Sequence, residues 1–224
     1  MATRLDSAWT ASREVSIPSK GTILLGTLAV PAEPIGVVAF AHGSGSSRSS
    51  PRNMQVAAGL NEAGLATLLF DLLTVDEELD RRNVFDVSLL ATRLVAATSW
   101  LEAEPELYGL PVGYFGASTG AAAALWAAAE CPQAAAVVSR GGRPDLAAER
   151  LDRVHAPTLL IVGGLDEVVL ELNRSALELL PGHAELRVVA GATHLFEERG
   201  ALDEVTHLAR DWFVRYLPEA GDDR

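Results

Sequence analysis

Hydrophobic residues along this chain gather in short, almost unbroken runs, and longer segments with helical patterning lie between them. Such runs are typical of strands covered on both faces of a parallel sheet, whereas a half-exposed strand alternates apolar and polar residues. The predicted strands are residues 35–41, 66–70, 112–115, 135–139, 158–162 and 186–189.

Helical segments fill the intervals between these strands. The first is residues 51–62, where Ser50 suits the N-cap and Pro51 takes the first helical position. The other helices are predicted at residues 84–103, 119–130, 145–153, 167–180 and 201–217, and the last two stop at prolines. This alternation predicts an α/β protein: a three-layer α/β/α sandwich around a mostly parallel sheet of about eight strands.

Two further strands, residues 13–18 and 22–30, precede this alternation and are predicted to pair antiparallel through a turn at Ser19-Lys20-Gly21. Since the chain shows no internal repeat and no linker-like stretch, residues 1–224 are expected to form a single domain. The exposed edge strand at the start could be covered in a homodimer, although nothing in the sequence shows one.

The composition is that of a globular protein, with 49% hydrophobic and 21% charged residues. The net charge of −12 lacks the basic footprint that nucleic acids and anionic membranes require, so neither is an expected partner. The single cysteine, Cys131, excludes an intrachain disulfide framework. Residues 1–20 show no signal-peptide pattern, and the longest apolar stretch, 121–129, is too short to span a bilayer, so a cytoplasmic location is expected.

The segment Gly116-Ala117-Ser118-Thr119-Gly120 stands between a predicted strand and an Ala-rich helix. A G-x-S-x-G turn in this place strains the serine and projects its hydroxyl above the sheet, as a nucleophile requires. The two glycines fit because the strand and helix backbones approach closely there. Taken alone, the motif could equally be an ordinary glycine-rich turn with a solvent-facing serine.

A serine nucleophile needs a base and an orienting carboxylate, which in this fold class follow it in the order acid, then histidine. Asp166 comes just after the strand predicted at 158–162, and His194 just after the one at 186–189. Singly, Asp166 could be only a helix N-cap and His194 only a loop histidine. Three residues in this order, each beyond a strand, instead predict a Ser118–His194–Asp166 triad.

The triad also needs amide donors for the oxyanion that develops during acyl transfer. We expect them to be the backbone N–H groups of Thr119 and of Ser44, with Gly45 as the alternative to Ser44. No metal or other cofactor is expected, because the five histidines lack H-E-x-x-H spacing and the chain has no Walker A motif.

These motifs together resemble the α/β-hydrolase superfamily, and most closely its dienelactone-hydrolase-like branch. The resemblance covers nearly the whole chain and includes the His-Gly-Ser-Gly turn, the GASTG elbow, and the acid and histidine loops GGLDEVV and GATHLFEE. Dienelactone hydrolases proper carry a cysteine nucleophile, whereas this chain has Ser118, which favours esterase-type acyl transfer over dienelactone turnover. The resemblance implies attack by Ser118, proton transfer by His194 oriented by Asp166, and hydrolysis of an acyl-enzyme.

Several arginines follow strands that should end on the same side of the sheet as this triad. Arginine is well suited to binding carboxylate or phosphate, so Arg81, Arg140 and Arg143 are candidates for holding an anionic or strongly polar substrate group. The alternative is that they form structural ion pairs with nearby acidic residues, which are Asp76, Glu77, Glu78, Asp80 and Asp145.

The longest gaps between predicted elements, about 71–83 and 140–144, leave no room for an inserted cap domain. An open, loop-lined pocket for a small-molecule substrate is therefore expected. The sequence predicts a carboxylesterase-type serine hydrolase acting on small or medium acyl esters. The same triad could act on a lactone, thioester or amide, and a non-catalytic binding protein on this fold is a further alternative.

Overall fold

The computed structural model describes residues 11–221, which are organised around one eight-stranded sheet. The strands are β1 (Ala11–Ser19), β2 (Thr22–Val30), β3 (Gly36–Ala41), β4 (Leu65–Phe70), β5 (Val112–Ala117), β6 (Ala134–Arg140), β7 (Thr158–Gly163) and β8 (Ala184–Val189). They lie in the order β1-β2-β4-β3-β5-β6-β7-β8. The β1–β2 and β2–β4 pairs are antiparallel and all the others are parallel, which confirms the predicted sheet.

Helices cover both faces of the sheet and complete the predicted α/β/α sandwich. The first face carries α1 (Pro51–Glu62) and α7 (Ala201–Gly221). The second carries α4 (Val87–Ala103), α5 (Thr119–Glu130) and α6 (Glu167–Leu179). Two one-turn helices, α2 (Val75–Glu78) and α3 (Arg81–Val84), lie in the connection from β4 to α4. Short 3₁₀ segments span Pro105–Leu107 and Pro144–Arg153.

Strand residues alternate between two buried cores, one on each face of the sheet. In β5, Tyr114 belongs to the core beneath α4 and α5, and the next residue, Phe115, belongs to the core beneath α1 and α7. The Phe115 ring packs against Phe40 with 4.8 Å between ring centres. Every residue of β3, β4, β5 and β7 is buried. These strands therefore lack apolar–polar alternation because neither of their faces meets solvent.

Some helix boundaries differ from the prediction. The helix predicted at 84–103 begins at Val87, because Asp86 caps it by accepting the N–H of Leu89 at 2.9 Å. Residues 145–153, predicted as an α-helix, lie in a 3₁₀ segment. The last helix continues past Pro218 to Gly221. Proline lacks a backbone N–H and so loses one helical hydrogen bond, but the amides after it can still donate within the helix.

The described chain, residues 11–221, forms no separate cap layer over the carboxyl edge of the parallel strands. Within the same range, no helix is both long enough and apolar enough to cross a membrane. Cys131 is buried as a free thiol. The connections at the carboxyl edge of the parallel strands are loops, the one-turn helices α2 and α3, and the 3₁₀ segment Pro144–Arg153.

Candidate active site

Ser118 occupies the turn between β5 and α5 in a backbone conformation that side-chain-bearing residues rarely adopt, with φ +52° and ψ −119°. The turn is tight because the flanking residues lack side chains. A Cβ at Gly116 would lie 2.4 Å from the Cα of Ala121, and one at Gly120 would lie 2.1 Å from the carbonyl oxygen of Ala41. The structure thus has the strained serine turn that the G-x-S-x-G motif predicted.

The three side chains predicted to act together meet at the carboxyl edge of the sheet. Nδ1 of His194 lies 2.6 Å from Oδ2 of Asp166, and its Nε2 lies 3.3 Å from Oγ of Ser118. Asp166 makes no side-chain N-cap bond to α6, so its carboxylate contacts the histidine and not the helix. The acid and histidine loops pack closely, since a Cβ at Gly163 would lie 2.5 Å from the carbonyl oxygen of Ala192.

The direction of each hydrogen bond follows from the groups involved. A carboxylate can only accept, so Nδ1 of His194 carries the proton that Asp166 binds. The neutral imidazole then has its lone pair on Nε2, which faces the hydroxyl of Ser118. The side chains of Asp166 and His194 are 17% and 38% exposed. Chemically, a histidine in this arrangement can take a proton from the Ser118 hydroxyl, and its partial exposure leaves it open to solvent.

An acidic residue that the sequence pattern did not indicate holds the loop carrying His194. Oε1 of Glu198 accepts the backbone N–H of Thr193 at 3.1 Å and the Thr193 hydroxyl at 2.6 Å. The pKa of Glu198 lies below its ordinary value because hydrogen bonds from the Thr193 hydroxyl, from its own backbone N–H and from the Thr193 N–H, in order of effect, stabilise the carboxylate. Between them, Phe196 has φ +56° and is buried. A threonine and a glutamate five positions apart, bracketing a loop histidine, are the sequence signal for this support.

The predicted oxyanion donors lie in two segments that touch each other. Thr119 is the first residue of α5, so its backbone N–H has no partner within the helix. The loop after β3 runs against Ser118, because a Cβ at Gly43 would lie 3.1 Å from the Cβ of Ser118. The amide of Ser44 donates a 2.8 Å hydrogen bond to Oγ1 of Thr119. Gly45 follows with φ +69°.

His42 supports this loop from its buried position at the end of β3. Its Nε2 accepts the backbone N–H of Leu72 at 3.1 Å. Since Nε2 is an acceptor, the proton resides on Nδ1, which donates to the carbonyl oxygen of Gly43 at 3.1 Å. His42 therefore fixes the course of the chain between β3 and the predicted oxyanion loop.

Two of the three candidate arginines have partners. Arg81 is exposed, and its guanidinium lies 5.9 Å from the ring centre of Phe85. Arg143 donates to both carboxylate oxygens of Asp145, at 2.8 and 2.7 Å. The second contact is the structural ion pair that the sequence left open as the alternative for these residues.

Arg140, the last residue of β6, has different surroundings. Its side chain is only 8% exposed, and its Nη1 has no hydrogen-bond partner in the part of the chain that the structure describes. Burial and, to a smaller extent, the nearby positive charge of Arg52 lower the pKa of Arg140 to about 10. The next residue, Gly141, lies beside His194, since a Cβ there would lie 3.5 Å from Cε1 of His194.

The strand order, the strained serine turn and the contacts from Asp166 through His194 to Ser118 define an α/β-hydrolase. A solved structure of Est1E from Butyrivibrio proteoclasticus has this fold, with a TM-score of 0.77, 18% identity and coverage of 90% of this chain and 97% of that one. The chain belongs to the dienelactone hydrolase family, whose model matches residues 25–217. The predicted branch of the superfamily is confirmed.

Two relatives are much more similar in sequence. The crystal structure of a dienelactone hydrolase from Anabaena variabilis has a TM-score of 0.90 and 55% identity, and the match covers 93% of this chain and 99% of that one. A Mycobacterium tuberculosis protein named as a candidate phosphoribosyl transferase is 60% identical over 206 residues, which are 91% of this chain and 46% of that protein. The chain thus spans less than half the length of this curated relative, whose name describes the longer protein.

Proposed function

We propose that this protein is a serine hydrolase that cleaves carboxylic esters with small or medium acyl groups. The observation that carries the proposal is the line of contacts from Asp166 to His194 and on to Ser118, at 2.6 and 3.3 Å. Membership of the dienelactone hydrolase family supports hydrolysis. A serine in the place of the cysteine of dienelactone hydrolases proper favours esters as the bond cleaved.

In the proposed first half-reaction, Nε2 of His194 takes the hydroxyl proton of Ser118 while Oγ bonds to the ester carbonyl carbon. Asp166 stabilises the imidazolium that forms, and the backbone N–H of Thr119 stabilises the oxyanion. The intermediate collapses when His194 passes the proton to the alcohol oxygen, which leaves. In the second half-reaction, His194 activates a water molecule that releases the carboxylic acid and restores Ser118.

The shape of the site supports small acyl groups. A small cavity of about 20 Å³ adjoins Thr119 and the loop at 42–45, and besides the acidic Glu78 its wall includes the apolar side chains of Leu72, Leu73, Val84 and Leu90. A short apolar chain would displace water from such a wall on binding. We expect kcat/KM to fall as the acyl chain lengthens beyond what this cavity accepts.

The test is covalent labelling together with turnover of p-nitrophenyl acetate. A fluorophosphonate should label the wild-type protein stoichiometrically at Ser118, and Ser118→Ala should abolish both labelling and turnover. Ser175→Ala is the matched control, because Ser175 lies on the exposed surface of α6 and its hydroxyl donates to the carbonyl oxygen of Glu171. A folded wild-type protein that stays unlabelled, or a Ser118→Ala variant that still turns over, would refute the proposal.

Lactone hydrolysis by the same triad is the second candidate. The family model and the Anabaena variabilis dienelactone hydrolase at 55% identity favour it. In a lactone the leaving alkoxide stays tethered to the acyl-enzyme, so ring closure competes with hydrolysis. Comparing kcat/KM for a γ-lactone and an open-chain ester of matched acyl size would distinguish the two candidates, since the preferred bond type has the higher value.

We further propose that Arg140 binds an anionic or strongly polar group of the substrate. Its support is that Arg140 is buried, that its Nη1 has no hydrogen-bond partner among the described residues, and that the adjoining Gly141 lies beside His194. Arg140→Met should raise KM for a carboxylate-bearing ester about 10- to 100-fold and leave KM for a neutral ester nearly unchanged. Arg143→Met is the control, since Arg143 is already paired with Asp145. Equal effects of Arg140→Met on both esters would overturn this assignment.

A further inference from the structure

The hydroxyl of Thr119 lies where the nucleophile turn and the loop after β3 meet. Thr119 is only 5% exposed, and its Oγ1 accepts the amide N–H of Ser44 at 2.8 Å. The amide that the sequence suggested as the second oxyanion donor is therefore already engaged by a side chain. Ser44 cannot give the same proton to a substrate oxygen without breaking this bond.

The hydrogen-bonding capacity of the threonine shows what remains available. A hydroxyl has one proton to donate and two lone pairs that accept. The Ser44 amide occupies one lone pair of Oγ1, and in the part of the chain that the structure describes no acceptor takes the hydroxyl proton. This proton is therefore free to be donated to a further acceptor.

The position of Oγ1 suits a second oxyanion donor. Oγ1 and the backbone nitrogen of Thr119 are separated by three covalent bonds, so one oxygen atom can contact both groups. The backbone N–H of Thr119 has no partner within the helix, because Thr119 is the first residue of α5. A Cβ added at Gly43 would lie 3.1 Å from the Cβ of Ser118, so the loop that carries Ser44 lies directly beside the proposed nucleophile.

We propose that the side-chain hydroxyl of Thr119 is a catalytic group that donates to the oxyanion, while the Ser44 amide acts through it by holding it in place. This inference rests on the proposed serine hydrolase function. The line of donors then runs from the Ser44 N–H to Oγ1 of Thr119 and from the Thr119 hydroxyl proton to the oxyanion. A hydroxyl that accepts one hydrogen bond donates a stronger one, because the two bonds polarise each other.

The test compares three side chains at this position. Thr119→Val keeps the shape and removes the hydroxyl, Thr119→Ser keeps the hydroxyl, and Thr119→Ala removes it with a smaller side chain should valine be poorly tolerated. For p-nitrophenyl acetate, we expect Thr119→Val and Thr119→Ala to lower kcat about 10²-fold with little change in KM. Thr119→Ser should retain most of the wild-type kcat. Affinity for a trifluoromethyl ketone, which forms a tetrahedral adduct with a catalytic serine, should fall in parallel with kcat.

Thr206→Val is the matched control, since it removes a threonine hydroxyl that bonds to the carbonyl oxygen of Leu202 within α7. It should leave kcat unchanged. Wild-type or faster turnover by Thr119→Val would overturn the inference, because the hydroxyl would then only block the Ser44 amide. Equal losses in Thr119→Ser and Thr119→Val would overturn it too. An active Ser118→Ala variant would instead refute the underlying serine hydrolase function.

Discussion

Replacing Asp166 by asparagine tests whether the carboxylate sets the histidine tautomer. The carboxylate accepts the Nδ1 proton of His194 at 2.6 Å, which leaves Nε2 free to accept from Ser118. The asparagine amide can donate to Nδ1 and so favours the tautomer with its proton on Nε2, which cannot act as a base. The imidazolium also loses its anionic partner. We expect kcat to fall ~10⁴-fold, equivalent to about 5 kcal/mol of transition-state stabilisation.

The assay is steady-state hydrolysis of p-nitrophenyl acetate, with circular dichroism to confirm folding. Asp166 makes no capping bond to α6, so Asp166→Asn should leave the free energy of unfolding nearly unchanged. Asp86→Asn is the matched control, because Asp86 caps α4 and asparagine caps a helix equally well. Its kcat should equal the wild-type value. A folded Asp166→Asn variant within about tenfold of wild-type kcat would show that the carboxylate does not set the tautomer.

Three further predictions concern stability. Gly120→Ala should destabilise the protein by about 2 kcal/mol or more, since its Cβ would lie 2.1 Å from the carbonyl oxygen of Ala41; an unchanged urea midpoint would contradict this. Arg93→Met should lower the free energy of unfolding, measured in urea, by about 2 kcal/mol or more. The reason is that buried Arg93 donates to the carbonyl oxygen of Ser19 at 2.8 Å and pairs with Glu77 at 2.5 Å. A decrease below about 0.5 kcal/mol would show that neither contact stabilises the fold. The pKa of Glu198 is lowered from 4.5, chiefly because its carboxylate accepts a hydrogen bond from the Thr193 hydroxyl. The ionised carboxylate therefore stabilises the folded protein at pH values above the unfolded-state pKa, and this stabilisation is lost as the pH falls through the folded-state pKa. The difference in Tm between wild type and Glu198→Gln should therefore shrink on acidification from about pH 6 to about pH 3, and a constant difference would contradict the assignment.

Much of the fold could be predicted because burial on both faces leaves a direct mark on a strand. The runs at 35–41 and 158–162 match β3 and β7 to within one residue at either end. The ends of helices were harder to predict where several polar side chains can each cap a neighbouring turn. Thr74 and Asp80 cap α2 and α3, so the chain reaches α4 three residues later than its apolar pattern predicted.

The order of the site residues along the chain predicted which side chains would meet, since the carboxyl ends of parallel strands share one edge of a sheet. Ser118, Asp166 and His194 lie in contact there. The sequence could not show which of the candidate arginines are paired, because it offered several acidic residues as partners, Asp145 among them. Only the folded chain shows that Arg143 pairs with Asp145 and that the buried Nη1 of Arg140 has no partner among residues 11–221.

The amino-acid pattern alone thus established the α/β class, the strand positions and the identity of the proposed triad, because these depend on local hydrophobicity and on residues fixed at strand ends. The engagement of the Ser44 amide by Thr119 and the support of the histidine loop by Glu198 emerged only from the tertiary structure. Hydrogen bonds depend on tenths of an ångström and on direction. Segments 75 residues apart in sequence, such as those of Ser44 and Thr119, reach that precision only after the sheet has brought them together.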